Sequence, residues 1–390
     1  MGGSTLTDNL TGSHHARSAP LRVGIIGTGV ISGQYFASFA RLPEVEVVAV
    51  ADLDAERART VAREHGARAL SVDALLADDE VDLVLNLTIP AAHAEVSMAA
   101  LAAGKHVYVE KPLCSTVEEG KALLRAAGEN GLRLAAAPDT VLGTGIQTAR
   151  ALIDRGEIGT PIGASASWSS PGHERWHPAP DFYYRPGGGP LFDMGPYYLT
   201  TLVTLLGPVV RVSATSRRSD RPRAIATGPR AGESLGVEID THITAHVEHA
   251  SGAVSTLMLS FEVWGSRQPH IEVFGTAGTV AVPDPNRFDG KVELLDDSRE
   301  WRVMDDIAGY IDSGRGFGIA DLARRAAAGE DHRASAELAL HVVDIMASID
   351  EAARTGAPQD LTTTAPRPDI VPLEHIGLLE LVDAAHGGAA

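Results

Sequence analysis

Only four lysines occur in the 390 residues, Lys105, Lys111, Lys121 and Lys291, and one of them stands where a lysine can do chemistry. HVYVEKPL sets Glu110, Lys111 and Pro112 at the end of an apolar run that reads as a buried strand. Lysines are seldom buried without a reason. Held beside another cation and partly desolvated, its ammonium would be disfavoured, moving its pKa toward the range useful for proton transfer. Glu110 either tempers that shift or orients the amine. A surface lysine closing a loop is the plainer alternative.

A second set is Gly27-Thr28-Gly29-Val30-Ile31-Ser32, which fits G-x-G-x-x-small between an apolar run and a helical pattern. Gly27 suits a tight turn, Gly29 lets backbone approach a pyrophosphate, and Ser32 is small enough for close helix–strand packing. The N–H groups of the helix start, from Val30 and Ile31 on, then face the phosphates. Asp52 follows 25 positions after Gly27, closing VEVVAVAD. Its carboxylate is expected to accept the ribose hydroxyls and to repel a 2′-phosphate. Leu53 comes next rather than Arg or Ser, so NAD is expected over NADP. Asn86, Thr88 and Pro90 end a further strand, on the edge where ligands collect in open α/β sheets, and His93 is a candidate lining residue.

The third set is a composition shift. Eight of the nineteen aromatics (4 Trp, 7 Tyr, 8 Phe in the chain) fall between Trp168 and Tyr198, interleaved with His173, His177, Asp181 and Arg185. Aromatic faces beside polar groups suit sugars and polyols. Trp176, His177 and Tyr184 are expected on the substrate side. Within GGGPLFDMGPYY, Asp193 and Tyr197 are four apart and share a face if the helix is continuous.

The elements that must position these groups follow from periodicity. Runs LRVGIIG, VEVVAVADLD, VDLVLNLTIP, HVYVE and RLAAAP alternate with helical patterns, one capped by Asp54, which is the signature of a doubly wound parallel sheet. Beyond about residue 145 a helix leads into ASASWSS, then VVRVSATS, EIDTHITAHVEHA, AVSTLMLSFEVW, HIEVFG, GTVAVP and KVELL, expected as a large, mostly antiparallel sheet. Helices are expected from about 317 to 328 and 335 to 354, with 331–333 a solvated loop between them. The expected fold is therefore α/β: a tail over 1–20, a Rossmann domain over 21–140, and an α+β domain with an open sheet over 141–390.

At this point the chain resembles the Gfo/Idh/MocA oxidoreductases, through GIIGTGVIS, VAVADLD, the Asn86–Pro90 strand end with His93, and GKHVYVEKPL. The resemblance implies that Lys111 is catalytic, that Asp193 joins it, and that the chain oligomerises as a homodimer or homotetramer through its second domain. It also exposes a departure: Tyr197 stands where D-x-x-x-H usually places histidine, as in the glucose–fructose oxidoreductase branch. Tyrosine ionises near pH 10 and histidine near 6.5, so the proton carrier is open.

The net charge of −18 argues against nucleic acid or an anionic membrane as partner. One cysteine, Cys114, excludes internal disulfides and multi-cysteine metal sites, and a cytoplasmic location is expected. No metal is expected; His242, His246 and His249 lack a supporting carboxylate or cysteine. The expected function is hydride transfer between a secondary alcohol of a sugar, cyclitol or glycoside and NAD. Redox-neutral glycoside cleavage by transient ring oxidation and elimination is the alternative. A non-catalytic NAD sensor is the third reading.

Overall fold

The computed structural model describes residues 19–376; all but the last two residues of the expected tail lie outside that range. The described chain forms two compact units. The first takes the chain up to Thr144, then Ala308–Leu340 and the segment from Pro368 on; the second takes Gly145–Ile307 and His341–Arg367. A division into two consecutive blocks does not foresee these returns.

In the first unit β1 (Leu21–Ile26), β2 (Val45–Ala51), β3 (Arg68–Ala69), β4 (Leu83–Asn86), β5 (His106–Val109) and β6 (Leu134–Ala136) form one parallel sheet in the order β3-β2-β1-β4-β5-β6. The strands read as near-continuous apolar runs because helices cover both faces of such a sheet; every residue of β4 and β5 is buried. The order reverses between β1 and β4, and ligands of doubly wound folds bind outside the carboxyl ends at that point. The outer edge beyond β6 is closed by the returning chain: Ala136 N–H donates to Ala334 O at 3.1 Å, and Ala135 bridges Ser335. The 331–333 loop is accordingly not solvated throughout. Arg333 is buried against Asp321 and the Tyr310 hydroxyl, and a His332 ring nitrogen meets Leu134 O at 3.0 Å.

The second unit carries β7 (Pro161–Ser169), β8 (Val209–Arg217), a small ribbon of β9 (Arg223–Ala224) with β10 (Ser234–Leu235), β11 (His242–His249), β12 (Val254–Ser260), β13 (Ile271–Gly275), β14 (Thr279–Val282), β15 (Val292–Leu295), β16 (Arg302–Met304) and β17 (Gln359–Asp360). Nine of them form a sheet in the order β16-β15-β14-β13-β7-β12-β11-β8-β17, antiparallel except for β7 with β12. The helix Gly189–Leu206 packs on β7, β11 and β12. Ile243, Ala245 and Val247 are buried while His246 and Glu248 are exposed, the period-2 pattern of a sheet covered on one face. His249 is locked by Gly207 O at 2.8 Å and Ser255 Oγ at 3.0 Å, and His242 by Ser260 Oγ at 3.0 Å.

Candidate functional site

The glycine loop opens at the switch point of the parallel sheet. Gly27 has φ +98, and a Cβ there would lie 2.6 Å from Leu87 O, so only glycine fits. Gly29 has no atom within 4 Å of where a Cβ would sit, leaving its face open to a ligand. The helix that follows, α1 (Ser32–Phe39), has Ile31 at its cap and no side-chain cap bond, so no side chain satisfies its first N–H groups. Three large apolar side chains stand bare beside these strand ends: Val30 is 97% exposed, Leu53 101% and Ile89 70%. Open backbone, an uncapped helix start and an apolar rim together fit a dinucleotide.

Asp52 is not a bare carboxylate. Thr28 N–H (2.7 Å) and Oγ1–H (2.9 Å) donate to one oxygen, and Asp54 N–H (2.9 Å) to the other. Arg57 reaches both, with Nε at 3.2 Å and Nη2 at 2.6 Å. Burial opposes the charge, but the bonds from Arg57, Thr28 and Asp54 outweigh it and hold the carboxyl at about 2. Arg57 was not foreseen, although its place one turn into the helix α2 (Ala55–His65) was a usable signal.

Two residues expected against the cofactor do other work. Asn86 is fully buried; its Nδ2 donates to His93 O and Ser97 Oγ, and its Oδ1 accepts from Thr88 N and Oγ1, so it shapes the turn that presents Thr88, Ile89 and Pro90. His93 is buried too, with Nδ1 2.6 Å from Pro112 O and Nε2 3.1 Å from Thr88 O. It brackets the end of β4 to the turn after Lys111, and burial lowers its pKa. Lys111 itself is half-buried at the carboxyl end of β5. Its N–H donates to Glu110 Oε2 at 2.9 Å, while the buried Tyr35 hydroxyl donates to Oε1 at 2.9 Å.

In the second unit, Asp193 and Tyr197 lie one turn apart on the helix Gly189–Leu206, Tyr197 buried and Asp193 half-buried. Asp193 Oδ2 lies 2.8 Å from Nε2 of His173, a residue the sequence placed in the aromatic stretch without a role. The His173 ring is boxed by Tyr183, Phe261, Trp176 and Trp168, with centroids 4.4, 4.5, 5.0 and 5.9 Å away. Trp176 is 56% exposed, and the half-buried His177 stands edge-on to Trp176 and Phe182. Tyr184 corrects the expectation for it: the side chain is fully buried, and its hydroxyl is tied to Glu174, Arg223 and the His173 N–H. It supports the loop and has no surface for a ligand. Glu174 and Arg223, buried and paired at 2.9 Å, anchor the same loop. Among the described residues no group of three His, Cys, Asp or Glu gathers in a way that could hold a metal ion.

Residues 21–137 match the family profile described as oxidoreductase family, NAD-binding Rossmann fold, and residues 146–281 match the GFO/IDH/MocA C-terminal domain. The chain belongs to the Gfo/Idh/MocA family. Its first unit is thus an NAD-binding Rossmann domain. A dTDP-3,4-didehydro-2,6-dideoxy-alpha-D-glucose 3-reductase of Streptomyces violaceoruber is 34% identical over 249 residues, 62% of this chain and 71% of the relative. Inositol 2-dehydrogenase 3 of Saccharopolyspora erythraea is 30% identical over 279 residues, 68% and 74% of the two chains. In fold the chain is similar to apo levoglucosan dehydrogenase, with TM-score 0.77 at 22% identity over 89% of this chain and 100% of that one. No helix among the described residues is long and apolar enough to cross a membrane.

Proposed function

We propose that this oxidoreductase moves a hydride between a secondary alcohol of a sugar, cyclitol or glycoside and NAD, with Lys111, Asp193 and Tyr197 as its catalytic residues. The observation that carries the reading is the mounting of Lys111: its backbone is pinned by a buried Glu110–Tyr35 pair at the carboxyl end of β5, on the edge that the open glycine loop shares. Relatives named for a deoxysugar reductase and an inositol dehydrogenase support the substrate class. NAD, when bound, accepts the hydride at its nicotinamide. Gly27, Gly29, Val30, Ile31, Leu53, Thr88 and Pro90 hold it, with Asp52 directing the choice toward NAD.

Taking the hydroxyl proton leaves an alkoxide on the substrate, and loss of the carbinol hydride from it gives the carbonyl. Lys111, entering as the neutral amine, takes that proton through Tyr197, and the ammonium so formed stabilises the alkoxide until the hydride has left. Asp193 sets the charge in which they work. Trp176 and His177 present the aromatic and polar surface that a polyol ring needs. The test is Lys111→Met with NADH formation followed over a polyol panel. Turnover should fall by roughly three orders of magnitude with NAD binding intact; retained turnover sinks the assignment.

A further inference from the structure

His173 answers a question left by the departure at Tyr197: where the chain keeps an imidazole, and what it is for. Its two ring nitrogens have different partners. Nδ1 lies 3.2 Å from the indole nitrogen of Trp176, and an indole N–H can only donate. Nδ1 must therefore carry the lone pair, and the ring proton sits on Nε2, which donates to Asp193 at 2.8 Å. A proton on Nδ1 would put two N–H groups head to head inside a box of four aromatic rings.

We propose that His173 is a positioning residue for the reaction proposed above: a neutral imidazole that holds the Asp193 carboxylate in one orientation through Nε2–H and takes no proton itself. The loop is built to keep it there. Its backbone N–H donates to the Tyr184 hydroxyl at 3.0 Å, its carbonyl accepts from Trp176 and His177 N–H, and the next residue, Glu174, is locked to Arg223. The titratable and charged groups about the ring are Asp193 in front, His177 on the same loop, the Tyr183 and Tyr184 phenols, and the Glu174–Arg223 pair, already engaged with each other. With tyrosine at position 197 of the helix, an imidazole reaches the Asp193 carboxylate from another loop. Proton transfer stays with the lysine and the tyrosine.

Two substitutions and one spectrum test this. Gln can donate an N–H from nearly the position of Nε2 but cannot act as a base; Leu can do neither. His173→Leu should lower kcat by roughly a hundredfold, the scale of a lost orientation, with the KM for NAD unchanged, and His173→Gln should restore kcat to within about fivefold of the parent. Equal loss in both variants would make His173 the base and overturn the proposal, as would full activity in His173→Leu. Nitrogen-15 NMR of the wild-type imidazole should show Nε2 protonated and Nδ1 bare across the active pH range. A protonated Nδ1 overturns the tautomer whatever the enzyme turns over. A bare Nδ1 in a protein that oxidises no polyol overturns the functional reading instead.

Discussion

The glycine-loop edge of the first unit and the His173 loop of the second are built on opposite plans. The edge is made of backbone and bare apolar side chains: Gly27 at positive φ, open space over Gly29, an uncapped helix, and Val30, Leu53 and Ile89 exposed. The His173 loop is made of side chains held by hydrogen bonds and buried charge: the neutral His173 ring donates to Asp193, and Glu174 pairs with Arg223, which is in turn bound to Glu262. A diphosphate is gripped by any correctly shaped run of N–H groups, so a short stretch of chain suffices. Fixing side chains in a low-dielectric interior takes buried ion pairs and hydrogen bonds between residues far apart in the chain.

The largest effect expected from this contrast is at Arg223, whose side chain is fully buried. Arg223→Met leaves Glu174 inside with the Tyr184 hydroxyl and a more distant Arg221 at 3.6 Å. Removing one partner of a buried pair costs about 3–5 kcal/mol. Urea unfolding should show that loss, and NAD affinity should be unchanged because the first unit holds none of the network. A loss below about 1 kcal/mol, the range of an exposed pair, would erase the distinction between the two plans.

The same contrast explains what was legible in the sequence. The sheet strands, the glycine loop, Asp52 and the EKP lysine announce themselves through periods and spacings of a few residues, as local backbone geometry does. Asp193 and Tyr197 were visible because four residues make a helical turn. His173 lies 20 positions from Asp193, and Glu174 lies 49 from Arg223; no period links them, and they meet only where the loop packs against the helix Gly189–Leu206 on one side and β9 on the other. Tyr184 is hidden for the same reason: an aromatic stretch does not say which rings face inward, and this one is fully buried. Asn86 and His93 were read as ligand-facing because they end a strand on the right edge, whereas their polar atoms are spent on Thr88, Ser97 and Pro112. The return of the chain to Ala135 from Ser335 is equally silent in sequence.

Acid should strain both units through buried histidines, most strongly through His106 in the first and His341 in the second. Burial, with Arg133 adding to it, pushes His106 down to about 4; burial, with His249 adding to it, does the same to His341. Each ring accepts a backbone N–H, from Arg133 at 2.8 Å and from Val209 at 2.9 Å, and a proton there would break that bond. The unfolded histidine binds its proton near pH 6.5 and the folded one only near 4, so stability falls as pH drops through that window, by ~3 kcal/mol for each ring. Below it, Asp52 contributes in turn: its depressed folded value means its stabilisation is complete above about pH 4 and lost toward about 2. Urea midpoints between pH 7 and 4 for His106→Asn and His341→Gln, which keep an acceptor but cannot be protonated, should each flatten part of the decline. A slope unchanged in both variants would place the acid sensitivity elsewhere.

The smallest effect concerns Arg57. The carboxylate that should repel a 2′-phosphate is paired with a half-exposed guanidinium, so the repulsion reaching a ligand is that of a screened ion pair rather than of a lone charge. Arg57→Ala removes the countercharge while Thr28 and Asp54 keep Asp52 in place through their own donors. The ratio of NAD to NADP affinity, read by titration calorimetry without any substrate, should rise about tenfold, which is ~1.4 kcal/mol. A ratio that falls instead would mean that Asp52 needs Arg57 to hold its orientation more than its charge needs to be free of it. The nucleotide edge would then depend on a fixed side-chain ion pair after all, as the His173 loop does.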